Sequence, residues 1–183
     1  MRVVALLPLI FLAACGPEPD VDARNASVEE VADQVRNAGN SERFISPGRW
    51  VSTVTFEEMI APGMPPQAAE QMKQMMGQGQ KFESCLTEEQ ANRPSEEFFA
   101  GNTSNQCRYE HFTMGSGKID AKMRCDQGQV TLVLAMEGSY SPDAYQMQMT
   151  TSFEGAPEPA SGMRMRMRID AKRAGECEAA AGS

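Results

Sequence analysis

The chain has 183 residues, with 17 Lys+Arg against 25 Asp+Glu, one His and five Cys, for a formal charge of −8. Its 41% hydrophobic content is enough for one core in one domain, and 23% charged residues is too few for a disordered polyelectrolyte. The acidic balance argues against nucleic acid, which needs clustered Lys/Arg, and a single imidazole leaves little room for a His-based metal site or triad.

Arg2 provides a positive start, and Val3 to Ala14 form an apolar run too short to span a bilayer core but suited to a secretory signal. The run ends Leu12-Ala13-Ala14-Cys15, which resembles the lipobox of bacterial lipoproteins. That resemblance implies cleavage after residue 14 and lipid modification of Cys15. It would leave 169 residues with a formal charge of −9. Acyl chains would then attach the chain to a membrane, more than one being needed for stable anchoring. The residue after the cysteine is Gly16 rather than the Asp of inner-membrane retention. By resemblance, the expected location is the periplasm, at the inner leaflet of the outer membrane.

Residues 15–45 read as a tether carrying one short helix. The stretch from 16 to 26 is polar and bears Pro. Ser27-x-x-Glu30 is a capping box, Val28, Val31 and Val35 follow at helical spacing, and Gly39 is a stop. The pattern does not say whether this helix packs on the domain. The domain proper is expected over 46–178, with 179–183 a disordered tail. Pro47-Gly48 turns the chain into a strand from Trp50 to Ile60. Pro66 opens a helix with Ala68, Ala69, Met72, Met75 and Met76 on its apolar side and Gly77 as its close. A strand follows from Gln80 to Leu86. Thr87-x-x-Gln90 caps another helix that ends before Pro94, and Ser95 starts a turn carrying Phe98 and Phe99.

From Cys107 the period is two. Ile119, Ala121, Met123 and Cys125 alternate with charged residues, and Val130, Leu132, Leu134 and Met136 continue the period. Tyr145, Met147, Met149 and Phe153 are set against Gln146, Gln148 and Ser152, and Met163, Met165, Met167 and Ile169 alternate with Arg164, Arg166, Arg168 and Asp170. Such alternation makes an antiparallel sheet with one wet face. The expected fold is α+β: a disulfide-braced antiparallel meander of six to seven strands curled around the Met-rich helix.

Cys85, Cys107, Cys125 and Cys177 are an even set, read as two disulfides, because spacings of 22, 18 and 52 contain no C-x-x-C for zinc or redox exchange. Cys107 and Cys125 are symmetric about Ser116. A three-residue loop Gly115-Ser116-Gly117 would set them opposite one another, with Glu110 against Lys122 and Arg108 against Arg124. Cys85–Cys177 would follow by elimination. The scheme Cys85–Cys107 with Cys125–Cys177 stays open.

Several short landmarks occur in order: Pro47-Gly48-x-Trp50, Met64-Pro65-Pro66, Cys85-Leu86-Thr87-x-Glu89-Gln90, Cys107-x-Tyr109, Gly117-Lys118-Ile119-Asp120-Ala121, Cys125, Gly138-x-Tyr140 and Gly175-x-Cys177. Together they resemble a bacterial periplasmic family named only as domain of unknown function 3617, over about residues 46–178. Glu88 departs from the Pro expected in that pattern. The resemblance implies a secreted, cysteine-paired domain and carries no activity or catalytic residue.

His111 is assigned by the hairpin register to the cysteine face, as a half-buried structural residue. No G-x-S-x-G elbow is present, and the adjacent pairs Glu57-Glu58, Glu88-Glu89 and Glu96-Glu97 diverge on any regular element. No enzyme and no cofactor are expected. The 14 methionines suggest two ligands. Thioethers of Met72, Met75, Met76 and the 163/165/167 row are soft donors for Cu(I), and a Met-lined sheet could hold a lipid or acyl chain. The Arg164/Arg166/Arg168 row could meet an acidic partner. Binding or structural support at a membrane is the expected role, its protein partner or apolar ligand unspecified.

Overall fold

A computed structural model of the protein describes residues 20–38, 44–76, 79–92, 106–157 and 161–177. Eight strands form one sheet: β1 (Val21–Ser27), β2 (Gly48–Ile60), β3 (Gln80–Leu86), β4 (Cys107–Gly115), β5 (Lys118–Gln127), β6 (Val130–Ser141), β7 (Ala144–Glu154) and β8 (Arg164–Gly175). Their spatial order is β1-β4-β5-β6-β7-β8-β2-β3, every neighbouring pair antiparallel. Among the described residues three helices accompany them: α1 (Val28–Ala38), α2 (Pro66–Met76) and α3 (Glu88–Asn92). The chain is thus a mixed α+β fold dominated by an antiparallel meander.

The eighth strand is β1, inside the stretch read as tether. Its sequence VDARNAS has no continuous alternation, because Asn25 adopts a left-handed φ of 48° and interrupts the pleat. Pairing with β4 still buries Val21, Ala23 and Ala26. The folded unit therefore includes Val21–Ser27, within the stretch 15–45.

The core helix is α1, not the Met-rich α2. Its capping box forms as the sequence demands: the Ser27 amide donates to Glu30 Oε2 at 2.6 Å, and the Glu30 amide to Ser27 Oγ at 3.1 Å. Val28, Val31, Ala32 and Val35 lie on one stripe and are all buried, each valine contributing roughly 1.5–3 kcal/mol. The chain passes from β1 into α1 without a linker, so the helix folds back over β1 and β4. By contrast, α2 joins β2 to β3 at the opposite edge and lies against β2. None of its described side chains is buried, and Met75 is 77% exposed.

Transverse rows of side chains cross the apolar face. One runs Ala23–Phe112–Ala121–Met136–Met149–Met167–Phe56 in direct register from β1 to β2. Under α1 this row is sealed, with Phe112 fully buried, while Met136, Met149, Met167 and Phe56 are half-buried. Tyr109 packs edge-on to Phe112 at 5.3 Å, and burial pushes its phenol well above the ordinary range. A smaller cluster joins Ile45, Trp50, Ala91 and Ala171. There Trp50 stacks on Tyr145 and donates its indole N–H to the Ser46 carbonyl at 3.0 Å. Gly48 before it has φ 135°, and a Cβ there would sit 2.7 Å from Arg173 Nε, which explains the Pro47-Gly48-x-Trp50 landmark.

Candidate functional site

The hairpin of β4 and β5 decides which residues reach the polar face. Its loop is two residues, Ser116 (φ 50°) and Gly117 (φ 71°), with Gly115 paired to Lys118. Both central residues have positive φ, the mirror-image turn whose twist matches the flanking strands. The three-residue loop inferred from symmetry is therefore corrected. A bulge at Glu110 absorbs the difference, so Tyr109 pairs with Met123 while His111 pairs with Lys122. Cys107 still faces Cys125. Beyond the bulge the faces exchange: Phe112 and Met114 turn into the core, and His111 turns out. The assignment of His111 to the cysteine face fails for this reason. Its Nε2 lies 2.5 Å from Asp120 Oδ1.

The disulfides are Cys107–Cys125 and Cys85–Cys177, the first buried and the second ending on an exposed edge strand. The alternative connectivity is excluded. Arg108 and Arg124 do stand opposite each other, but their charges are separately satisfied. Arg108 Nη2 donates to the Asn25 carbonyl at 2.5 Å. Arg124 pairs with Glu154 at 2.6 Å and Glu110 at 3.5 Å. Hydrogen bonds from Lys122 and Arg124 hold the Glu110 and Glu154 carboxyls below the usual range.

On this polar face a groove with a volume of about 740 Å³ crosses β4 to β8 and reaches β2. Thr113, Asp120, Glu137, Gln148 and Arg168 form one registered row along it, and Glu57 closes its β2 end. Glu57 gets there through a second bulge, between Phe56 and Glu58. It accepts a hydrogen bond from Gln148 Nε2 at 2.8 Å, while Glu58 pairs with Arg166 at 2.9 Å. Arg168 is held by Asp170 through two hydrogen bonds of 2.9 Å, and this pairing keeps the Asp170 carboxyl low. Gln146 adds a further bond to Asp170 at 2.8 Å. Glu137, mid-groove, makes no hydrogen bond or ion pair among the described residues. The groove thus carries three carboxylates, Glu57, Asp120 and Glu137, against Lys118 and Arg168, the arginine already paired with Asp170. Glu57 and Glu137 carried no sequence signal as site residues. The bulge that aims Glu57 is a tertiary feature, and Glu137 reads as an ordinary wet-face residue.

The remaining sequence candidates scatter. Cys15 lies outside the described residues, as do the signal stretch 1–14, Gly39, the turn from Ser95 with Phe98 and Phe99, and the tail 179–183. Met72 is half-buried and Met75 exposed on α2, and the Met76 side chain is outside the description. Met165 and Met167 are on the sheet's apolar face. Among the described residues, no group of three or more His, Cys, Asp or Glu could hold a metal ion. Likewise, no described helix is long and apolar enough to cross a membrane.

An eight-stranded antiparallel sheet with a β4–β8 meander at its centre, two disulfides and a polar transverse groove define the class: a cysteine-braced sheet domain. The chain belongs to the family described as Protein of unknown function (DUF3617), matched over residues 45–177. That match begins after β1 and α1, so the strand and helix that close the core lie outside it. No curated protein and no solved structure matches the chain.

Proposed function

We propose that the protein is an exported lipoprotein, anchored through Cys15 at the periplasmic side of a bacterial membrane, that acts by binding rather than by catalysis. Its ligand is polar and rich in hydrogen-bond donors, such as an amine-bearing or basic peptide-like molecule. The observation that carries this reading is the Glu137 carboxylate, unpaired among the described residues, within a groove of about 740 Å³ also lined by Glu57 and Asp120. That volume falls in the range of small-molecule sites, and the Glu137 carboxylate is available to a ligand that supplies charged donors. The two disulfides suit an oxidising compartment.

A second reading has its own support. The half-buried row Met136, Met149, Met167 and Phe56 continues the apolar face beyond the part under α1. An acyl chain or a Cu(I) ion would find adaptable thioethers there.

Native mass spectrometry of residues 20–183, exported without the anchor, separates the readings. The expected result is a polar adduct lost from the Glu137→Leu variant. A bare mass, or a polar adduct that survives Glu137→Leu, defeats the groove reading. A lipid or copper adduct lost from Met149→Glu establishes the second reading instead.

A further inference from the structure

The position of β1 fixes which part of the domain stands nearest the membrane. This rests on the reading of Cys15 as the lipid anchor. Six peptide units separate Cys15 from Val21, and fully extended they reach about 20 Å. Whatever path they take, the start of β1 stays within that distance of the bilayer surface. Val21 is paired with Met114, next to the β4–β5 turn at Ser116-Gly117. The other end of β5, at Gly128-Gln129, lies about 33 Å away at strand rise. The anchor therefore holds one corner of the sheet.

Charge decides how the rest is disposed. Without its first fourteen residues the chain carries a formal −9, and bacterial leaflets present anionic headgroups. Repulsion drives the domain outward until the short tether stops it, so a flat arrangement on the β1 edge is disfavoured. We infer that the β4–β5 turn around Ser116 faces the bilayer surface and the Gly128-Gln129 turn points away from it. Thr113, Gly115 and Lys118 line the groove at this corner, so the groove opens beside the headgroups. A ligand entering there comes from the membrane surface.

The test places a fluorophore on Ser116→Cys or on Gln129→Cys, both exposed turn positions, in the full lipid-modified chain. The chain is reconstituted in phosphatidylethanolamine–phosphatidylglycerol vesicles containing a nitroxide-headgroup lipid. Quenching at least two-fold stronger at position 116 than at 129 is the expected result. Equal or stronger quenching at 129, in protein whose intact mass carries the acyl addition, overturns the orientation while leaving the anchor standing. An intact mass lacking that addition overturns the anchor and the orientation with it.

Discussion

Glu110 and Lys122 form an ion pair at 2.7 Å although the strand register sets Lys122 opposite His111. Glu110 is the extra residue of a bulge, and the bulge lets Phe112 enter the core while His111 leaves it. Deleting Glu110 removes that extra residue, so Tyr109, His111 and Phe112 would alternate in the present register with β5, and Phe112 and Met114 would stay inside. The loss is confined to the Glu110–Lys122 pair and to Asn25 of β1, which stands opposite Glu110. Both Glu110→Ala and the deletion should therefore keep a cooperative transition in urea denaturation monitored with circular dichroism. Loss of the transition in the deletion alone would mean that the bulge itself is needed to seat β1.

Phe112 is fully buried at the centre of the sealed row, in edge contact with Tyr109. Phe112→Ala is expected to cost about 3–5 kcal/mol, from lost transfer energy plus a cavity. Met149→Ala, in the half-buried part of the same row, should cost clearly less. Equal losses from equilibrium unfolding would mean the row is closed along its whole length.

The two helices make opposite predictions. Val31 is completely buried, so Val31→Asp should prevent folding, because an unpaired charge would enter the core. Met75→Asp should shift stability within about 0.5 kcal/mol, the usual range for an exposed position. A chain of residues 45–183, which lacks β1 and α1, should bind a hydrophobic dye and aggregate where residues 20–183 stay monomeric. Size-exclusion chromatography reads the difference.

Acid should weaken the polar face. Glu110, Glu154 and Asp170 have carboxyls held below their ordinary values, first by hydrogen bonds from Lys122, Arg124 and Arg168 respectively. The unfolded chain therefore takes up protons first as pH falls. The stabilisation is complete above the ordinary carboxylate range and is lost as pH drops through the depressed folded values. Tm measured downward from pH 6 should fall, and the fall should be shallower in Glu110→Gln/Glu154→Gln. An equally steep fall in the double variant would assign the acid sensitivity elsewhere.

The disulfides should separate under limited reduction. Cys107 and Cys125 are buried, whereas Cys85 is exposed on the edge strand β3 and Cys177 is half-buried. Alkylation and peptide mapping should find Cys85 and Cys177 modified first. The chain-entropy model also makes this bridge the larger contributor, about 4–5 kcal/mol for its separation of 92 against about 3 for 18.

Much of this architecture is written in local pattern. The alternation from Ile119 to Cys125 and in the next three strands, the capping boxes at Ser27 and Thr87, and Pro66 at a helix start each depend on residues a few positions apart. Those elements form where the pattern puts them. The Cys107–Cys125 pairing was legible for the same reason, since a hairpin is a local object. Its loop was misread because a bulge adds one residue to one strand without disturbing composition. The same device hid His111's true face and the aim of Glu57.

What needed the tertiary structure was every choice between distant surfaces. Two amphipathic helices were available to cover the sheet, and methionine content pointed to α2. Connectivity selected α1, because it follows β1 directly and β1 pairs with β4, whereas α2 is confined to the β2–β3 edge. β1 has too little alternation to announce itself, and only its pairing with β4 makes it a strand. The groove likewise assembles Thr113, Asp120, Glu137, Gln148 and Arg168 from five strands, side by side only once register is set. Period and capping are properties of a few consecutive residues; register, bulges and helix docking depend on what lies across the sheet.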